Sequence, residues 1–309
     1  MPLIIFSHAN SFPASTYRVM FRSLRSRGFT VKAIDKLGHD LAYPVTNNWP
    51  HLVQQVADFA AAEIEQAGEP AYLVGHSLGG FLSVMAAARH PELCGHGVNG
   101  VVLLDSPLVS GWKARALQLA KGAQFVGSVS PARVSKTRRT HWPSRKAALE
   151  AFQAKKAFAR WEPQVLKDYI DHGMQDELDP HAANGGTRLA LGFNREIETA
   201  IYNTVPHNLE SLLKRHPLQC PVAFIGGRHS REMQQVGMAL TEKIARDRIT
   251  ITEGGHLFPM EHPLETARLI AQALASISSR PRHHAAPRGR QHDETKGDAV
   301  ICKPHKTVR

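Results

Sequence analysis

The sequence predicts an α/β protein built on a mostly parallel, doubly wound sheet that carries a helical insertion. Three observations point there. Short apolar runs of strand length alternate with segments whose apolar residues recur every three or four positions. That alternation begins at Leu3, stops at Pro107 and resumes at Pro221. Residues 70–90, PAYLVGHSLGGFLSVMAAARH, read as strand, tight turn and helix in immediate succession. Strands separated by helices imply parallel pairing through right-handed crossovers.

The elements follow in order. Residues 3–6 are an apolar run leading into Ser7-His8-Ala9-Asn10-Ser11-Phe12-Pro13. Residues 17–27 form a helix with Tyr17, Met20, Phe21 and Leu24 on one face, and Gly28 caps it. A second strand at 30–34 ends in Asp35-Lys36-Leu37-Gly38-His39-Asp40. The helix at 49–67 places Leu52, Val56, Phe59 and Ile64 near one face and closes at Gly68. The third strand is 71–75, and the helix after it ends at His90-Pro91. A fourth strand at 100–104 ends at Asp105-Ser106-Pro107. From there to residue 216 only helix-like pieces (112–126, 144–160, 163–172) and loops appear, including a polar loop at 184–187. Strands resume at 221–225, ending at Gly226-Gly227. A helix at 231–245, a last strand at 248–252, Glu253-Gly254-Gly255-His256 and a helix at 264–277 complete the pattern. The expected organisation is a core from 1–106 and 217–279, a cap at 107–216 and a tail at 280–309.

With 309 residues, 42% hydrophobic and 21% charged, the composition is that of an ordinary globular protein. The start shows no charged segment followed by a long apolar one, so a cytoplasmic location is expected. Cys94, Cys220 and Cys302 are scattered, which fits thiols in a reducing compartment and offers no metal-ligand spacing. The net charge of +11 is uneven: residues 280–309 carry eight Lys or Arg against three acidic residues. With almost nothing apolar to bury, that tail is expected to be disordered. A basic tail can meet nucleic acid or anionic lipid; a solvated tail is the simpler reading, so no nucleic-acid partner is expected. Residues 71–88 are mostly apolar, but His76, Ser77 and three glycines suit a turn better than a membrane span.

Gly75-His76-Ser77-Leu78-Gly79 fits G-x-S-x-G in the strand–turn–helix context that the motif needs. A serine on so sharp a turn is pushed out over the sheet edge. Side chains at Gly75 and Gly79 would clash there. The helix start beneath the serine aims free N–H groups at developing negative charge.

Four landmarks in order make the chain resemble the α/β-hydrolases: SHANSF after the first strand, D-x-x-G-H after the second, GHSLGG at the elbow, and GGH before a Pro-initiated helix. The resemblance spans residues 3–277 and is weakest in the cap. It implies Ser77 as nucleophile and His256, just past the last strand, as its base. It implies an oxyanion hole from the backbone N–H groups of Leu78 and Asn10, with Ala9 as an alternative donor because His-Ala stands where His-Gly is common. His8, His76, His262 and Asp35 are read as structural. The acid is open. Many members carry an Asp after the next-to-last strand, but here that stretch is GGRHSRE, whose carboxylate is Glu232. Some carry it after the fourth strand, where Asp105 stands in LLDSP. Asp105 and Glu232 are therefore both candidates, Asp105 the first.

The cap has twelve Lys or Arg and one acidic residue, Glu150, across 106–160, followed by an acidic stretch at 161–181. A basic lid could steer anionic substrates; a solvated face partly paired with the acidic stretch is the simpler expectation. The leading functional expectation is a serine hydrolase acting on a small-molecule carboxylic ester or thioester through an acyl-enzyme. A C–C bond hydrolase, an acyltransferase with the same triad, and a non-catalytic ligand-binding protein are the alternatives. No cofactor or metal is implied: there is no dinucleotide glycine pattern, phosphate loop or metal-ligand cluster.

Overall fold

Six parallel strands lie in the order β2-β1-β3-β4-β8-β9, where β1 is Leu3–Ser7, β2 Thr30–Ala33, β3 Ala71–His76, β4 Val98–Leu104, β8 Val222–Gly227 and β9 Ile249–Thr252. The computed structural model describes residues 1–122, 131–180, 182 and 185–279. The expectations for the tail at 280–309, for residues 123–126 and for Asn184 lie outside these.

Alternation along each strand builds two cores. Leu3, Ile5, Leu73, Val101, Leu103 and Phe224 share one with Leu52 and Val56 of α2 (Pro50–Ala67) and Leu82 and Met85 of α3 (Leu78–Arg89). Ile4, Phe6, Val74, Val102, Leu104 and Ile225 share the other with Met20 and Leu24 of α1 (Arg18–Ser26) and Ile270 and Leu274 of the last helix (Pro263–Ser278). Burial on both faces is why β1, β3, β4 and β8 read as largely apolar runs, whereas the edge strands β2 (TVKA) and β9 (ITIT) are only partly buried. Each fully buried aliphatic side chain contributes about 1.5–3 kcal/mol over leaving it exposed.

The register brings the strand ends together. Ser7 pairs with Gly75, His76 with Leu104, and Leu104 with Ile225. The chain runs outward from β1 to β2, then returns to place β3 on β1's other side, which opens a crevice at the carboxyl ends of β1 and β3. The segments that leave β1, β3, β4, β8 and β9 carry all the candidate residues.

Three expectations change. The helix-like piece expected over 144–160 stops at Gln153, and turns follow over 154–160. The insertion was expected to hold only helices and loops. A short helix α4 (Pro91–His96) precedes β4 in the core, and the insertion does contain helices: α5 (Gly111–Gly122), α6 (Pro131–Thr137), α7 (Arg145–Gln153), α8 (Pro163–Gly173), α9 (Arg195–Asn203) and α10 (Leu209–Arg215). It also contains an antiparallel sheet of β5 (His141–Trp142), β7 (Thr187–Leu191) and β6 (Met174–Leu178). β6 reads MQDEL, a poor strand by propensity. Cross-strand charge supports it: Glu177 lies opposite Arg188 in register and 2.7 Å from it, and it also pairs with His141 at 2.7 Å. Arg145 meets Asp176 at 3.0 Å, so part of the basic segment pairs with the acidic stretch. The helix expected over 231–245 is broken into α11 (Arg231–Val236) and α12 (Ala239–Ala245) by Gly237, whose φ of +82° no helix continues.

Residues 1–279 form one compact unit. The insertion adds Val165, Leu166 and Tyr169 to one core and Leu209 and Leu212 to the other. Cys94 and Cys220 are buried with their sulfurs 3.1 Å apart. Among the described residues no helix is long and apolar enough to cross a membrane.

Candidate active site

Ser77 sits between β3 and α3 with φ 52° and ψ −113°, a conformation an L-residue rarely adopts. A Cβ at Gly75 would lie 2.3 Å from the Gly79 carbonyl carbon, and one at Gly79 would lie 2.0 Å from the Ser7 carbonyl oxygen. Both positions therefore require glycine. The Ser77 N–H donates to the Leu104 carbonyl at 3.0 Å, which ties the turn to β4. The strand and helix around it are buried and Ser77 itself is partly exposed.

Ser77 Oγ lies 3.0 Å from His256 Nε2, and His256 Nδ1 lies 2.6 Å from Asp105 Oδ2. The consistent tautomer has Nδ1–H donating to the carboxylate and Nε2 accepting from the hydroxyl. Asp105 is fully buried at the end of β4, with φ 42°. Its Oδ1 accepts from the Gly227 N–H at 2.8 Å and its Oδ2 from Ser230 Oγ at 2.6 Å. Glu232 stands farther off, 3.8 Å from His256 Nδ1, on a half-exposed side chain in the first turn of α11. Burial works to lower the His256 pKa, but the Asp105 hydrogen bond and the negative charges of Glu232 and Asp105 outweigh it and leave the group above its ordinary 6.5.

The Leu78 N–H opens α3 and has no carbonyl behind it in the helix. The Asn10 N–H has no acceptor among the described residues. The Ala9 N–H, by contrast, donates to the Tyr17 hydroxyl at 3.1 Å and is committed. That hydroxyl donates to His76 Nδ1 at 2.7 Å. His8 Nδ1 bonds the Ala9 carbonyl at 2.8 Å while its Nε2 accepts from the Leu37 N–H at 2.8 Å. Burial pushes the His8 pKa down to about 4, so this brace is neutral. Asp35 accepts from the Ser15 N–H at 3.2 Å, and the His262 carbonyl accepts from Thr266 Oγ1 at 2.8 Å. Asp35 thus braces a turn, and the His262 backbone the start of the last helix.

Sequence reasoning missed the supports. Ser230 caps α11 by accepting from the Met233 N–H and also donates to Asp105, so GGRHSRE contributes a donor where an acid was sought. Glu261, nearly buried in LFPME, accepts from the Gly255 N–H at 3.2 Å and from Arg160 at 2.9 Å. A lone carboxylate inside an apolar segment was the available signal. Asp105, Glu232 and His256 each bring a ligand atom within 4.8 Å of the others and are the set among the described residues that could hold a metal ion. Asp105 is already engaged by three donors.

Residues 4–269 match the model of the alpha/beta hydrolase family. A protein of Mycobacterium phage D29 named as a non-heme haloperoxidase is 32% identical over 283 residues, covering 90% of this chain and 89% of that protein. A Cyberlindnera fabianii protein named as an alcohol acetyltransferase is 31% identical over 292 residues, covering 88% and 71%. Among solved structures, the chain is similar to E-2-(acetamidomethylene)succinate hydrolase, with a TM-score of 0.63 at 23% identity over 89% of this chain and 91% of that one. With the family match running from the first strand to the last helix, and two long relatives above 30% identity, this chain belongs to the alpha/beta hydrolase family.

Proposed function

We propose that this chain is a serine hydrolase that cleaves a carboxylic ester or thioester through an acyl-enzyme on Ser77. The observation that carries the reading is the hydrogen-bonded line from Ser77 Oγ through His256 to Asp105. In this reading Ser77 Oγ attacks the substrate carbonyl while His256 Nε2 takes its proton. Asp105 holds the imidazole in the tautomer that can accept, and stabilises the imidazolium that forms. The carbonyl oxygen becomes an oxyanion facing the N–H groups of Leu78 and Asn10. His256 then protonates the leaving alcohol or thiol. Water, deprotonated by the same imidazole, attacks the acyl-Ser77 ester, and the carboxylic acid departs. No step draws on a cofactor.

A second reading, acyl transfer to an alcohol, uses the same acyl-enzyme with an alcohol in place of water. The relative named as an alcohol acetyltransferase favours keeping it. A panel of p-nitrophenyl esters and acyl-CoA thioesters of graded chain length, with products identified with and without added alcohol, separates the two. Ser77→Ala is expected to remove turnover, by on the order of 10⁶ in kcat, and to remove labelling by a fluorophosphonate, with the fold intact. More than a few per cent residual turnover in that variant overturns the assignment.

A further inference from the structure

The turn after β1 is held by a carboxylate that arrives from the insertion. Glu198 of α9 is 4% exposed, and a charge so buried is retained only when its lone pairs are satisfied. Its Oε2 pairs with Arg138 at 2.8 Å, and Arg138 in turn donates to the Tyr169 hydroxyl at 3.1 Å. Its Oε1 accepts from Ser11 Oγ at 2.5 Å, across 187 residues of chain. Its backbone carbonyl accepts from Asn10 Nδ2 at 3.1 Å. One residue therefore grips both Asn10 and Ser11. Ser11 is itself strained, with φ 78°, a left-handed conformation that a non-glycine residue keeps only when its surroundings impose it.

We propose that Glu198 is a positioning residue for acyl transfer: it fixes the Asn10–Ser11 turn, and with it the Asn10 N–H, where the substrate oxyanion forms. This rests on the reading of Ser77 as an acyl-transfer nucleophile. The physical reason is that an oxyanion donor acts through placement. Its stabilisation is lost when the N–H swings away from where the charge appears, and a misplacement of about 1 Å can cost about a hundredfold. The ground-state substrate gains little from that donor, so KM is insensitive to it.

The test compares wild type with Ser11→Ala, Glu198→Ala and Glu198→Gln, using p-nitrophenyl acetate turnover and inhibition by a trifluoromethyl ketone. The ketone adds Ser77 Oγ to form a hemiketal oxyanion, so its affinity reads the oxyanion contact directly. Ser11→Ala and Glu198→Ala are expected to lower kcat roughly tenfold to a hundredfold with little change in KM. The ketone's inhibition constant should rise by the factor by which kcat/KM falls. Glu198→Gln keeps an acceptor for Arg138 and can hold Ser11 Oγ with the hydrogen bond reversed, its amide N–H donating, and is expected to retain most of kcat. Ser11→Ala leaves the Arg138–Glu198 pair intact and, read beside Tyr202→Phe, which removes only the other side-chain partner of Ser11, decides the matter if Glu198→Ala does not fold. An active wild type labelled at Ser77, with Ser11→Ala and any folded Glu198→Ala at wild-type kcat and ketone affinity, overturns this inference alone. A wild type with neither turnover nor fluorophosphonate labelling overturns the Ser77 reading, and this inference with it.

Discussion

The Nε2 of His76 lies 2.9 Å from the carbonyl oxygen of His256. The residue before the candidate nucleophile thus holds the backbone of the candidate base. Its other nitrogen accepts from Tyr17, whose oxygen accepts from Ala9, so a line of hydrogen bonds joins the loop after β1, the elbow and the loop after β9. Burial, with the neighbouring His256 charge next, keeps the His76 pKa well below its ordinary value. The ring therefore stays neutral and keeps one donor and one acceptor for this role.

The two carboxylates near His256 should separate by their kinetics. Asp105→Asn is expected to lower kcat by about 10⁴, the scale of the comparable change in a Ser-His-Asp protease, because an amide can hold the wrong imidazole tautomer. Glu232→Gln should leave kcat within a few-fold at its optimum. It should still move the pH profile. A general base works when neutral, so kcat/KM falls as pH drops through the His256 pKa, which the wild type holds above 6.5. Removing the Glu232 charge lowers that pKa and carries the acidic limb to lower pH. A damaging Glu232→Gln beside a mild Asp105→Asn would reverse the roles.

His8 should make the fold acid-sensitive in a defined window. Its folded pKa is depressed by burial to about 4, from 6.5. A group with a lowered folded pKa and a neutral native form gives its stabilisation in full above the unfolded value. That stabilisation is lost as pH falls toward the folded one, on the order of 3 kcal/mol across the window. The melting temperature is expected to drop between pH 6.5 and about 4, with His76 acting in the same direction. His8→Gln can still accept from the Leu37 N–H through its amide oxygen but takes up no proton, so it should flatten that slope. An unchanged slope would move the acid sensitivity elsewhere.

Glu261→Ala should destabilise the His256 loop through a stranded backbone donor. The Gly255 N–H is buried and bonded to Glu261, and leaving such a donor unpaired costs about 1–3 kcal/mol. Arg160, whose side chain is 60% exposed, gains little from its ion pair with Glu261. Thermal melts are expected to show a fall of several degrees for Glu261→Ala and a small one for Arg160→Ala. Equal losses in the two would make the ion pair, and not the Gly255 bond, the stabilising contact.

Local pattern made much of this legible. Residues 70–90 hold the whole strand–turn–helix unit, so the glycines around Ser77, the free helix start and the partly exposed serine are consequences of contiguous sequence. The inner strands β1, β3, β4 and β8 announced themselves because both of their faces are buried. β6 did not, because its support is a charge pair with β7 and with His141 of β5, across the small sheet.

The sequence by itself determined which segments end as strands at one edge and which residue types stand on those ends: Ser77, His256, and two possible acids. Only the tertiary structure decided how they meet. Asp105 and His256 are 151 residues apart and come within 2.6 Å because β4 pairs with β8, and β8 with β9. That strand order also delivers Gly227 and Ser230 to the Asp105 carboxylate. Glu198 reaches Ser11 only when the insertion folds back over the core. Hydrophobic periodicity acts over a few residues and can be read along the chain. A buried hydrogen bond is set by which strands become neighbours, a choice made by the packing of the whole chain.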